Sequence, residues 1–144
     1  MIGMIVSGHG NFATGLASAM TLIGGKPSHF YALDFVEGDT SENLEAAMKE
    51  AIESLNKECK GIIFATDLPG GSPFKSACIV AQDYENIEVL AGVNLPLCIE
   101  LNMMRQFDDD VIGLANNMVT TGKEQIVRFE YQETNNEIES EDGI

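Results

Sequence analysis

The stretch Gly61-Ile62-Ile63-Phe64-Ala65 restricts the fold more than any other, because it is apolar throughout. A strand with one wet face alternates apolar and polar residues, whereas an unbroken apolar run needs cover on both faces. This run predicts a central parallel strand with helices on either side. In chain order Met4-Ile5-Val6 reads as the first strand, His29–Asp34 as the second, this run as the third and Ile87–Ala91 as the fourth.

Helical spacing fills the gaps between these runs. Phe12, Leu16, Ala19, Met20 and Ile23 recur on one face of a helix over 12–23, with Asn11 as its candidate N-cap and Gly24-Gly25 as its stop. Asp39 followed by Glu42 resembles a capping box for the next helix, whose buried face reads Leu44, Ala47, Met48, Ala51, Ile52 and Leu55. Ser72-Pro73 predicts a start in which Ser72 caps and Pro73 takes the first turn, ahead of Phe74, Ala77, Cys78 and Ala81. Asn94 is placed to cap a helix over 95–105. Asp108, Asp109 and Asp110 open a last one carrying Val111, Leu114, Ala115, Met118 and Val119, ended by Gly122. Alternation over Ile126–Tyr131 predicts a half-buried fifth strand. The order is that of a doubly wound α/β domain with right-handed crossovers. We read residues 1–131 as that domain and 132–144 as an acidic, disordered tail.

Composition excludes several classes. A net charge of −15 over 144 residues argues against nucleic acid, whose binders need basic patches. The body stays acidic without the tail, so a basic partner would be attracted at long range. No apolar run reaches the roughly 20 residues of a membrane span, and no basic region precedes an apolar stretch, so no secretory leader is expected. Cys59, Cys78 and Cys98 are odd in number and lack metal-ligand spacing. They read as buried thiols of a cytoplasmic protein, with neither metal nor cofactor implied. There is no Walker motif for direct use of ATP.

Two turns carry the chemistry. Ser7-Gly8-His9-Gly10 follows the first strand, and Thr66-Asp67-Leu68-Pro69-Gly70-Gly71-Ser72-Pro73 follows the third. Parallel α/β sheets place their sites at the carboxyl ends of strands. If these two strands are neighbours, His9 and Asp67 meet across one edge. A carboxylate accepting from one ring nitrogen fixes the tautomer and leaves the other with a free lone pair, ready to act as nucleophile or base. The Gly70-Gly71-Ser72 turn leads into a helix N-terminus, which attracts anions. Together they suit phosphoryl transfer through a phosphohistidine, with Gly10, Gly70 and Gly71 as the backbone cradle. The competing reading is plain: a loop histidine without duty, Asp67 capping a turn and glycines as punctuation. Phe12, Leu68 and Pro69 flank the loops as candidates for an apolar docking rim, with Phe35 as a further one; Phe12 reads equally as core. His29 reads as structural.

The two motifs and their separation resemble the mannose-family enzyme IIA domain of the bacterial sugar phosphotransferase system, over residues 1 to about 131. The resemblance implies a cytoplasmic phosphocarrier that takes a phosphoryl group from phospho-HPr and passes it to a IIB domain, served by membrane IIC and IID partners. It implies that His9 carries the group on Nε2, that Asp67 holds Nδ1 and that Ser72 lies beside the phosphoryl site. It also implies a homodimer exchanging an antiparallel C-terminal strand, here Ile126–Tyr131. Two alternatives stand beside it: a histidine phosphocarrier subunit for dihydroxyacetone kinase, and a flavodoxin-like binding module.

Overall fold

The computed structural model describes residues 1–132; residues 133–144, most of the expected acidic tail, lie outside the described residues. The elements are β1 (Gly3–His9), α1 (Phe12–Gly24), β2 (Phe30–Phe35), α2 (Ser41–Leu55), β3 (Ile62–Thr66), α3 (Ser72–Ala81), β4 (Ile87–Leu90), α4 (Leu95–Met104) and α5 (Val111–Glu124). The sheet runs β2-β1-β3-β4, all parallel. β1 lies between β2 and β3, with Gly8 opposite Asp34 on one side and Ser7 opposite Thr66 on the other.

β3 is buried along its length, as its composition requires. Its side chains divide between two cores. Ile63 and Ala65 join Met4 and Val6 of β1 under α1, α4 and α5. Ile62 and Phe64 join Ile5 under α2 and α3. The period of two along each strand thus feeds two helical layers at once.

Helix ends depart from the sequence expectations in instructive ways. Thr40, one residue beyond Asp39, caps α2 by accepting from the Asn43 N–H; Asp39 instead accepts from the Val36 N–H in the preceding turn. Gly71, not Ser72, is the N-cap of α3. The buried face of α3 is Pro73, Ser76, Ala77 and Val80, rotated from the expected one, and leaves Phe74 and Cys78 half-buried. Gly122 does not end α5 but lies inside it, where an added Cβ would come 2.8 Å from Leu97 Cδ1. Asn94 caps α4 as read, and of the three aspartates that open α5 it is Asp110 that caps it.

Arg105 was not anticipated. It is fully buried just after α4, yet its guanidinium meets no carboxylate among the described residues. It donates to the carbonyls of Ile2 (3.0 Å), His29 (3.2 Å) and Ser28, and to Asn102 Oδ1. This ties the entry ends of β1 and β2 to α4, on the edge opposite His9. Burial lowers its pKa to about 10.

The fifth strand is a correction. Ile126–Tyr131 carries no strand pairing and lies exposed, Val127 by 83% and Tyr131 by 67%. A strand exists only against a ladder partner, and within this chain neither edge of the sheet receives it.

Candidate functional site

His9 is the last residue of β1, at the carboxyl edge of the sheet, and Asp67 follows β3 immediately. Because β1 and β3 are paired, the two residues meet. Asp67 Oδ2 accepts two hydrogen bonds of 2.8 Å, one from the His9 backbone N–H and one from the ring at Nδ1. An ionised carboxylate only accepts, so the proton sits on Nδ1 and Nε2 keeps its lone pair. The His9 side chain is 46% exposed while that of Asp67 is 14% exposed. Nε2 takes no hydrogen bond among the described residues. Burial by itself raises the Asp67 carboxyl, but the hydrogen bonds it accepts from the His9 backbone N–H and ring outweigh it and hold the group below the usual carboxylate range.

Glycines make room for this pair. An added Cβ at Gly71 would lie 2.8 Å from His9 Cε1, and one at Gly8 would lie 2.9 Å from Asp67 Cγ and 2.5 Å from Phe12 Cδ1. Gly70 turns the chain with φ of +81°, and Gly10 leaves β1 with φ of +57°. The Phe35 ring meets the imidazole edge-on, centroids 6.0 Å apart.

The expected cradle is only partly free. The Gly10 N–H donates to the Phe35 carbonyl at 2.7 Å and the Gly71 N–H to the Leu68 carbonyl at 3.0 Å. The N–H groups open at the start of α3 are those of Gly70, Ser72 and Phe74; none has a partner among the described residues, and Pro73 has no N–H. Ser72 sits at the first position of α3, beside Gly71, without a hydrogen bond to His9 or Asp67. Leu68 and Pro69 are exposed on the β3–α3 turn, whereas Phe12 is half-buried and packs against the core.

Sequence reading missed Asp34 and Thr14. α1 also points its N-terminus at this edge, and Asn11 gives it no side-chain cap. Asp34, near the end of β2, caps it instead: Oδ1 accepts the Thr14 N–H at 3.0 Å and Oδ2 accepts the Thr14 hydroxyl at 2.6 Å. The available signal was an aspartate closing the second strand, as Asp67 closes the third. Ser7 and Thr66, also unforeseen, bond to the Leu33 and Leu90 carbonyls and secure the strand ends beneath the site.

A doubly wound parallel sheet with a carboxylate-held imidazole at its carboxyl edge and an open helix N-terminus beside it defines a class, the histidine-centred α/β transfer domains. The model of the "PTS system fructose IIA component" family matches residues 3–119, and the chain belongs to this family, the EIIA-man components of the sugar phosphotransferase system. It is 34% identical over 128 residues to the mannose-specific EIIAB component of Escherichia coli K12, covering 87% of this chain and 38% of that protein. The fructose-specific EIIA component of Bacillus subtilis is 29% identical, with 74% of this chain and 72% of the relative covered. Among solved structures, the phosphotransferase system component EIIA of Streptococcus agalactiae superposes with a TM-score of 0.81 at 31% identity, over 89% of this chain and 97% of that one. The mannose/sorbose IIA subunit of Enterococcus faecalis, at 21% identity, shares the fold with a TM-score of 0.79 over 92% and 97% of the two chains. Components of this system relay phosphoryl groups, so the chain's role lies in phosphotransfer. Among the described residues no helix is long and apolar enough to cross a membrane.

Proposed function

We propose that the protein is a cytoplasmic phosphocarrier of sugar uptake that accepts a phosphoryl group from phospho-HPr on His9 and passes it to a IIB domain acting with membrane IIC and IID partners. The observation that carries this reading is the 2.8 Å bond between Asp67 Oδ2 and His9 Nδ1, which leaves a lone pair on Nε2 at an open surface.

The step follows from that geometry. Nε2 attacks the phosphorus of the donor phosphohistidine; the new N–P bond forms as the donor's N–P bond breaks, and the donor imidazole leaves with the electron pair. The His9 ring, now carrying Nδ1–H and an Nε2-phosphoryl group, becomes positive, and the Asp67 carboxylate faces that charge. The phosphoryl oxygens turn to the free N–H groups of Gly70, Ser72 and Phe74 at the start of α3, with the Ser72 hydroxyl beside them. Transfer to IIB repeats the exchange in reverse. Phe35, Leu68 and Pro69 form the apolar rim, with Phe12 supporting it from below, and the acidic body meets a basic donor. We further propose a homodimer in which Ile126–Tyr131 of each chain pairs with the other's sheet, since the segment has strand alternation and no strand partner among the described residues.

The test is incubation with phosphoenolpyruvate, enzyme I and HPr. An acid-labile phosphate on His9 supports the reading, and its absence from correctly folded protein refutes it.

A further inference from the structure

β1 has two neighbours, and each sends one aspartate to the segment that carries His9. Asp67, after β3, takes a backbone N–H and a side-chain donor from His9 itself. Asp34, on β2, takes a backbone N–H and a side-chain donor from Thr14, in the first turn of the helix that follows His9. Only Gly10 and Asn11 separate β1 from that helix. The His9 ring is half-exposed, with only the Phe35 edge and Gly71 beside it, so hydrogen bonds at the two ends of this short turn add to what fixes where Nε2 points.

The local cap that could have anchored the turn is not made. Asn11 has φ of −97° and ψ of 26°, outside the extended conformation an N-cap residue usually adopts, and its side chain bonds no helix N–H. The anchor comes from β2 instead, where the Phe35 carbonyl adds a third bond by accepting the Gly10 N–H. The Asp34 carboxylate also takes the Thr14 N–H at the N-terminus of α1 and sets its negative charge there, while no side chain caps α3. Of the two helix ends near His9, one already carries a carboxylate that repels a phosphoryl group and the other carries none.

From this arrangement we propose that Asp34, through its two bonds to Thr14, is a positioning residue for phosphoryl transfer at His9. The inference rests on the phosphocarrier reading above. It predicts that bonding geometry at Asp34 matters more than charge, because Asn at this position still accepts the Thr14 N–H and donates to the Thr14 hydroxyl.

The experiment measures steady-state transfer from phospho-HPr to the full-length chain and its Asp34→Ala, Asp34→Asn and Thr14→Val variants. Alongside it, proton NMR follows the His9 Nδ1–H in unphosphorylated protein. Asp34→Ala lowers kcat by roughly tenfold to a hundredfold, the scale of a reacting group displaced by a fraction of an ångström, with KM unchanged. Asp34→Asn restores kcat to near the wild-type value, and Thr14→Val, which loses one bond of the two, falls in between. The Nδ1 proton signal broadens by exchange with water in Asp34→Ala and stays sharp in Asp34→Asn. Transfer by Asp34→Ala at the wild-type rate, a loss confined to KM, or an Asp34→Asn variant as slow as Asp34→Ala overturns the proposal. Should Asp34→Ala not fold, Thr14→Val at the wild-type kcat overturns it. If wild type takes no phosphoryl group at all, the phosphocarrier reading fails, and an Nδ1 signal unchanged in both Asp34→Ala and Thr14→Val overturns the positioning role separately.

Discussion

Replacing Asp67 by Asn removes one charge and little volume, and its effect on transfer follows from the site. Oδ2 accepts two bonds of 2.8 Å from His9, while Oδ1 is buried with no hydrogen-bond partner. An Asn amide can keep both bonds only by placing its oxygen in the Oδ2 position, which buries its NH2 without an acceptor. The reverse orientation sets NH2 against two donors. In the favoured orientation the bonds survive and the charge is lost. In the proposed transfer that charge faces a ring that becomes positive on phosphorylation. Two unit charges roughly 4 Å apart interact by about 4 kcal/mol at an effective dielectric of 20. Solvent reaches the half-exposed ring and screens the pair, which leaves about 3 kcal/mol, the upper end for a hydrogen bond to a charged group. At about 1.4 kcal/mol per decade the transfer rate falls on the order of a hundredfold, the low end of what positioned acid–base partners contribute. The assay is rapid-quench transfer of labelled phosphate from phospho-HPr, with circular dichroism to establish folding. A folded Asp67→Asn variant within about threefold of wild type, far short of one such decade per 1.4 kcal/mol, would refute the electrostatic role.

Further outcomes follow from the same structure. Gly71→Ala meets no backbone strain at φ of −72°, but its Cβ lies 2.8 Å from His9 Cε1; transfer should fall by roughly tenfold or more with Tm nearly unchanged, and a wild-type rate would show that the ring is not confined there. Arg105→Met removes the buried donor to the carbonyls of Ile2, Ser28 and His29, of which His29 keeps the Met4 N–H at 3.1 Å, a loss of roughly 3 kcal/mol that calorimetry should register as a Tm drop on the order of 10 °C; an unchanged Tm contradicts the clamp. The Asp67 carboxyl lies below its unfolded value, so the stability it contributes is present above about pH 4 and is lost as pH falls through the folded pKa. Acid titration of wild type against Asp67→Asn should show that limb only in wild type. If the proposed strand exchange holds, chains ending at residue 124 should be monomeric and aggregate, while chains ending at 131 should form a dimer that unfolds in a concentration-dependent way; a soluble, phosphate-accepting monomer ending at 124 contradicts strand exchange.

The sheet and the His9–Asp67 pair were legible because both follow from one-dimensional signals. Apolar runs mark the buried parallel strands, and a parallel sheet brings the residues that follow neighbouring strands to one edge. Helix termini were less legible where the cap comes from elsewhere in the fold. Asn11 looked like the cap of α1 by residue type, but the cap is Asp34, twenty residues beyond Thr14. Ser72 was read as a cap by residue type, yet the extended residue preceding α3 is Gly71. Arg105 gave no sequence signal, since an arginine after Met103-Met104 reads as exposed; its burial depends on carbonyls that only the folded strand ends bring together. The alternation of Ile126–Tyr131 states what the segment can become, and the missing ladder partner decides whether it does.

The central claim is that Nε2 of His9 carries the phosphoryl group. Its most direct test is phosphorus NMR, with intact-mass measurement, on protein incubated with phosphoenolpyruvate, enzyme I and catalytic HPr. The account predicts one acid-labile phosphoryl group per chain, with the signal of an Nε2-phosphohistidine, lost in His9→Ala and retained in His29→Ala. Labelling of folded His9→Ala, or a signal from the Nδ1 isomer, would contradict it.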